Sequence, residues 1–268
     1  MTLTRRQVTG LMARHGLRPS KALGQHFVAD PNTVRRIARL AAVGPGDRVV
    51  EIGAGLGSLT LALAETGAAV TAVELDRRLL PALEEVVAGR GVRVVAGDAL
   101  ALDWRDILGG EGGWVLVANL PYNVATPLVV MLLEEVPAIA RMLVMVQREV
   151  AERLAARPGS RAYGAVTVKV AYWATAEIVG RVAPAVFVPR PNVESALVRI
   201  VRREQPPTPA DPARLFALVQ AGFAQRRKML RRSLAGLVDE AAFAAAGVAP
   251  TARAEDLSVE EWGRLAAA

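Results

Sequence analysis

The chain of 268 residues carries 33 Lys and Arg against 26 Asp and Glu, a formal net charge of +7, and 52% of it is hydrophobic. That length and apolar content suit one large domain with room for a small second one and exclude a disordered chain, and no apolar run reaches the roughly 20 residues of a membrane span. Zero cysteines exclude disulfides, thiolate metal sites and cysteine nucleophiles, two histidines (His15 and His26) argue against a histidine-based metal centre, and the positive excess points to a polyanionic partner.

The N-terminus is basic, with Arg5, Arg6, Arg14 and Arg18, but lacks the apolar stretch and cleavage site of a secretory signal. It ends in Lys21-Ala22-Leu23-Gly24-Gln25-His26-Phe27. Asp30 and Pro31 then read as N-cap and first position of a helix over 32–42. Val34, Ile37, Ala38 and Ala41 share one face of it, and Arg35, Arg36 and Arg39 the other, which either meets phosphate or is simply solvated. After the turn at 44–47, strand-like and helix-like segments alternate. Strands are expected at 49–52, 69–74, 92–96, 114–118 and 142–146, and helices at 59–65, 79–88, 126–133 and 148–155. The strands are near-continuous apolar runs, as in a sheet covered on both faces, so the class is α/β with a doubly wound parallel sheet. Ligands of such a sheet lie at the carboxyl ends of its strands.

Those ends carry the chemistry. The first strand runs into Glu51-Ile52-Gly53-Ala54-Gly55-Leu56-Gly57-Ser58, where glycines let a ligand approach backbone and supply positive φ. A dinucleotide site would want Gly or Ala where Ser58 stands; the stretch instead resembles the first motif of S-adenosylmethionine-dependent methyltransferases. Glu74 ends the second strand, placed to accept from both ribose hydroxyls, and Asp98 the third, placed to accept from an adenine amine while the next N–H, of Ala99, donates to the ring. Either acid alone could be a helix cap; in series after the glycine turn they describe an adenosine pocket. The fourth strand ends in Asn119-Leu120-Pro121-Tyr122. An aromatic amine attacks a methyl sulfonium only as its nitrogen gathers positive charge, and acceptors aimed at its protons stabilise that charge. The Asn119 side-chain oxygen and the Leu120 carbonyl, held extended by Pro121, are such acceptors, and Tyr122 offers a face for the base to stack on.

The order Gly24-Gln25-His26-Phe27, Glu51-x-Gly53-x-Gly55-x-Gly57, Val73-Glu74-Leu75-Asp76, Gly97-Asp98-Ala99 and Asn119-Leu120-Pro121-Tyr122 resembles the ribosomal RNA adenine N6-dimethyltransferases over nearly the whole chain. The resemblance implies a Rossmann-like S-adenosylmethionine-dependent methyltransferase sheet followed by a small all-α domain. It implies that Gln25 and His26 close over the methionine end of S-adenosyl-L-methionine and that Phe27 flanks the base or the donor. Glu51, Gly53, Ala54, Gly55 and Gly57 would line that same end, Glu74 would hold the ribose, Asp98 and Ala99 the donor adenine, and Leu75 would be a further donor-binding residue. Asn119 would touch donor and base, with Leu120, Pro121 and Tyr122 completing the acceptor site. His26 departs from the family's frequent asparagine.

Beyond 157 the alternation stops. A helix is expected at 165–172 and a closing antiparallel pair at 177–179 and 196–201. Between them, Phe187-Val188-Pro189-Arg190-Pro191-Asn192-Val193-Glu194-Ser195 matches the family's Phe-x-Pro-x-Pro-x-Val-x-Ser motif, with Asn192 where lysine is frequent. Phe187 is read as part of the base pocket or as a hydrophobic plug beneath the loop. A proline-rich linker at 205–212 places a domain boundary at 204/205, with a catalytic domain over 1–204 and a small helical RNA-binding domain over 205–268. Helices are expected there at 212–222, 225–236, 240–246 and 259–265. The second, with Phe223 just ahead of it, carries Arg226, Arg227, Lys228 and Arg231 near its start, a density of positive charge suited to RNA phosphate. This segment resembles the bacterial small-subunit type of the family, which dimethylates two adjacent adenosines of 16S ribosomal RNA and engages the immature small subunit, more than the type that methylates 23S RNA and confers antibiotic resistance. A cytoplasmic monomer with no metal and no membrane partner is expected. A non-catalytic assembly factor on the same fold is the rival reading.

Overall fold

The computed structural model describes residues 2–110, 112–121 and 124–268, so Tyr122 lies outside the described residues. The elements, in chain order, are α1 (Arg5–Arg14), β1 (Phe27–Val28), α2 (Pro31–Ala41), β2 (Arg48–Ile52), α3 (Ser58–Ala64), β3 (Ala69–Glu74), α4 (Leu80–Val87), β4 (Arg93–Ala96), α5 (Trp104–Leu108), β5 (Trp114–Asn119), α6 (Ala125–Glu135), β6 (Ile139–Gln147), α7 (Arg148–Leu154), α8 (Ala165–Trp173), β7 (Ala174–Val182), β8 (Phe187–Val188), β9 (Ser195–Arg202), α9 (Pro212–Ala224), α10 (Leu230–Ser233), α11 (Glu240–Ala246) and α12 (Val259–Ala267). Seven strands form one sheet in the order β4-β3-β2-β5-β6-β9-β7, and β1 pairs separately with β8. β2 pairs in parallel with β3 and β5, while β9 runs antiparallel to β6. Strand order therefore reverses between β2 and β5, where Ile52 faces Ala118, and a crevice opens beyond their carboxyl ends.

Each expected strand of the parallel part is present, and Val49, Val50, Val115, Leu116 and Val117 are buried, because helices cover both faces of the sheet. α2 has the expected face: Val34, Ile37, Ala38 and Ala41 are buried, and Asp30 caps it by accepting from the Thr33 N–H at 2.9 Å. Four elements escaped the periodicity: α1, β1, α5 and β8. α1 is signalled by a capping box, in which the Thr4 side chain accepts from the Gln7 N–H and the Gln7 side chain accepts from the Thr4 N–H. β1 and the 5-residue α5 are too short to show a period.

The chain forms two compact units, 1–151 with 177–201, and 152–176 with 202–268. The smaller unit thus takes in α8 as well as the segment beyond the proline-rich linker. It has its own core, in which Tyr163, Val168, Leu215, Leu218, Leu234, Phe243 and Trp262 pack together. The expected helix over 225–236 is a correction: α9 ends at Ala224, residues 225–229 turn, and only Leu230–Ser233 is helical. The turn is held by the Lys228 N–H donating to the Gln225 carbonyl at 2.8 Å and by a bridge from Met229 to Arg253. Among the described residues no helix is long and apolar enough to cross a membrane.

Candidate active site

The crevice at the switch point is a pocket in the larger unit, lined from four strand ends and from the segment before β1. Gly53, Ala54 and Gly55 follow β2, Glu74 and Leu75 end β3, Asp98, Ala99 and Leu100 follow β4, and Asn119, Leu120 and Pro121 end β5. Gln25, His26 and Phe27 close one side.

The glycine turn is built by conformation. Gly53, Gly55 and Gly57 have φ of 74°, 59° and 82°, in the left-handed region that a Cβ disfavours. A Cβ on Gly55 would sit 3.0 Å from the Phe27 ring, so the missing side chain lets Phe27 close on the turn. Gly57 is different. It is not among the residues that line the pocket, and a Cβ there would meet Val86 at 3.0 Å and Leu83 at 3.1 Å, so its missing side chain lets α3 pack on α4.

Two buried carboxylates lie at this end. Glu51 is 1% exposed and its Oε2 has no hydrogen-bond partner among the described residues. Burial pushes its carboxyl up to about 8, with Thr60 opposing and Glu74 adding to the rise. A buried acid with one oxygen unpartnered on a pocket wall suits a cation. The Glu74 carboxylate accepts from the Gly55 N–H at 2.7 Å through Oε2 and from the Asp76 N–H at 2.8 Å through Oε1. Burial raises its pKa against the pull of those two N–H groups. Each oxygen keeps a second lone pair, the number a vicinal diol needs. Asp98 is exposed and its Oδ1 accepts from the Leu100 N–H at 3.0 Å, which leaves its other oxygen for an amine at the pocket rim.

At β5, Asn119 Nδ2 donates to the His26 carbonyl at 3.0 Å, which fixes the amide and leaves Oδ1 as a ready acceptor. Leu120 is 1% exposed, and its N–H donates to the Met145 carbonyl at 3.0 Å, so the strand end is anchored to β6.

An established family accounts for this combination. The family model for ribosomal RNA adenine dimethylase matches residues 16–268. The chain belongs to the ribosomal RNA adenine dimethylase family. It is 50% identical to the ribosomal RNA small subunit methyltransferase A of Thermobifida fusca, with 98% of this chain and 95% of that protein covered. The protein of the same name from Streptomyces coelicolor is 51% identical, with 97% and 94% covered. Among solved structures, the 23S rRNA methyltransferase ErmE is 30% identical with a TM-score of 0.68, covering 89% of this chain and 97% of that one. A dimethyladenosine transferase from Plasmodium falciparum shares the fold at 22% identity, with a TM-score of 0.74 over 90% and 96% of the two chains.

Within this dimethylase, three of the expected contact residues are engaged inside the protein. Phe187 is fully buried with Val28, Ile37, Val117, Met145 and Leu197 and is not among the residues that line the pocket, a placement that favours the hydrophobic plug of its two readings. Phe223 is half-buried with its ring 6.3 Å from Trp262 and 6.1 Å from Tyr163, as part of the smaller unit's core. Arg226 is engaged internally, donating to Glu255 at 2.6 Å and to the Arg161 carbonyl at 2.9 Å, whereas Arg227, Lys228 and Arg231 are exposed. One residue was missed. Asp76, 7% exposed, receives Arg78 through Nε at 2.9 Å and Nη2 at 2.6 Å and Gln25 through Nε2 at 2.9 Å. Those bonds, Arg78 foremost, hold its carboxyl down at about 2. Its signals were a place in the Val73-Glu74-Leu75-Asp76 motif and a second acid two positions after Glu74, outside the strand.

Proposed function

We propose that this protein transfers methyl groups from S-adenosyl-L-methionine to N6 of two adjacent adenosines in small-subunit (16S) ribosomal RNA, giving N6,N6-dimethyladenosine during small-subunit biogenesis. The observation that carries the chemistry is the Asn119 amide, oriented by the His26 carbonyl so that Oδ1 is free to accept beside the glycine turn. Identity near 50% to small-subunit methyltransferases, against 30% to a 23S enzyme, favours the small subunit as substrate.

The pocket's residues fit the donor. Glu51, buried with one oxygen unpartnered, suits a cationic methionine end, Glu74 retains lone pairs for a ribose diol, and Leu75 and Ala99 flank the space where an adenine ring would lie. The donor supplies a methyl group on a positively charged sulfur. Asn119 Oδ1 and the Leu120 carbonyl accept from the two N6 protons, stabilising the positive charge that develops as the nitrogen lone pair bonds to carbon and the carbon–sulfur electron pair leaves with sulfur. The methylated ammonium is acidic and loses one proton to water, so the chain needs no general base. The residual N–H allows a second transfer. Pro121 keeps the Leu120 carbonyl extended, and Tyr122 supplies a stacking face. Arg227, Lys228 and Arg231 provide exposed positive charge for RNA phosphate.

The test is incubation with radiolabelled S-adenosyl-L-methionine and, separately, unmethylated small subunits and large-subunit RNA. Dimethyladenosine from the small subunit is expected. Label confined to large-subunit RNA would reassign the substrate, and donor binding without any label would favour an assembly factor. A monomer in the cytoplasm accords with this role, and sedimentation of the purified protein checks the oligomeric state.

A further inference from the structure

Gln25, His26 and Phe27 are consecutive, and each is tied to a different part of the site. The Gln25 amide is used at both ends: Oε1 accepts from the Ser20 N–H at 2.8 Å and Nε2 donates to Asp76 Oδ2 at 2.9 Å. Asp76 in turn donates its N–H to Glu74 Oε1 at 2.8 Å. The donor side of the pocket is thus linked to this segment through two hydrogen bonds in series. His26 faces the other way. Its carbonyl accepts from Asn119 Nδ2, and its ring Nδ1 lies 2.8 Å from the Pro189 carbonyl. A carbonyl only accepts, so Nδ1 carries the proton and donates. Phe27 and Val28 then pair antiparallel with Val188 and Phe187, fixing the segment against the loop that holds Pro189.

We propose that Gln25 and His26 are positioning residues that couple the donor side of the pocket to its acceptor side, so that donor and RNA each tighten the binding of the other. This rests on the donor and substrate reading given above, with one change: the side chains of Gln25 and His26 act on the protein rather than on the methionine end of the donor. A ribose diol held by Glu74 orders that carboxylate and the Asp76 N–H bonded to it. Asp76 then holds Gln25, and the next residue presents the carbonyl that orients Asn119. One peptide unit, about 3.8 Å between Cα atoms, separates the two tethers, so little slack exists between them. By linkage, a base seated on Asn119 tightens the donor by the same factor.

The experiment measures binding of S-adenosylhomocysteine, which cannot react, to the full-length protein by equilibrium dialysis, alone and with saturating unmethylated small subunits. In the wild type the subunits are expected to tighten it by roughly 5- to 50-fold, an ordinary coupling strength. His26→Ala is expected to reduce that factor below about 2-fold, and His26→Asn, whose amide also donates, to restore most of the coupling. Gln25→Ala breaks the same brace from its other end, so a failure of one variant to fold leaves the test intact. Wild-type coupling persisting in folded His26→Ala or Gln25→Ala, or its absence from the wild type, overturns the proposal. No binding of S-adenosylhomocysteine at all would overturn the donor reading beneath it, a distinguishable result.

Discussion

Asn119 and Glu51 act through opposite physical conditions. Asn119 is effective because it is held: one amide hydrogen is bonded to the His26 carbonyl, which prevents the flip that would turn a donor toward N6. Asn119→Ala is expected to lower kcat by about 10²- to 10³-fold, the usual loss for one oriented acceptor or donor in a transition state. The dissociation constant of S-adenosylhomocysteine should stay within a few-fold; turnover at the wild-type rate would remove Asn119 from the mechanism. Glu51 is effective because it is unsatisfied. Its carboxyl ionises near 4.5 in the unfolded chain but only at about 8 in the fold, through burial, so the folded state binds the extra proton. Folding stability therefore falls as pH rises from 4.5 toward 8 and is unaffected by this group below that window. Glu51→Gln should raise the melting temperature of the donor-free protein at pH 8 and leave it nearly unchanged at pH 4.5, while weakening donor binding. Equal shifts at both pH values in thermal unfolding would contradict this. Both residues stood out in the sequence by their place at strand ends; Asp76, lying two residues beyond one, needed the fold to reveal its partners on Gln25 and Arg78.

The glycine turn divides its labour between element junctions. Gly55 admits the Phe27 ring and Gly57 admits Val86 and Leu83 of the α4 region, so a methyl group at either should strain the left-handed backbone by about 1–2 kcal/mol, with different consequences. Gly55→Ala should weaken donor binding, because it displaces Phe27 from the pocket wall. Gly57→Ala should lower the melting temperature but leave donor affinity of the folded protein near wild type. Calorimetric titration beside thermal unfolding separates the two, and equal losses of affinity would return Gly57 to the binding site. The spacing of the three glycines announced a tight turn but could not divide these duties, since what a Cβ would strike depends on helices packed from elsewhere in the chain. Element type was legible in the same uneven way. β3 spans the expected 69–74 because an apolar run between turns is a local signal, whereas the basic segment after Ala224 reads as a helix and is a turn, held by a bridge to Arg253 beyond the reach of local pattern.

For the whole molecule, the net charge of +7 predicts salt-sensitive binding to RNA, and the structure sorts the basic residues of the smaller unit by availability. Replacing Arg227, Lys228 and Arg231 together by alanine should weaken small-subunit binding and flatten its dependence on salt by roughly one unit of slope for each phosphate no longer neutralised. Arg226→Ala should instead cost about 1 kcal/mol of stability through its half-exposed pair with Glu255 and leave the salt slope unchanged. Filter binding across a salt series decides between them; a steep drop of slope in Arg226→Ala would show that its internal bonds yield to RNA. The sequence by itself determined the sheet, the order of strand-end acids, the methyl-transfer chemistry and the family, because strand periodicity, glycine spacing and short motifs are local properties of the chain. Only the tertiary structure decided that Phe187 is fully buried, that Phe223 and Arg226 belong to a core and an internal ion pair, and that Gln25 and His26 reach Asp76, Asn119 and Pro189. Those roles depend on residues up to 163 positions apart meeting in space, which no local pattern encodes.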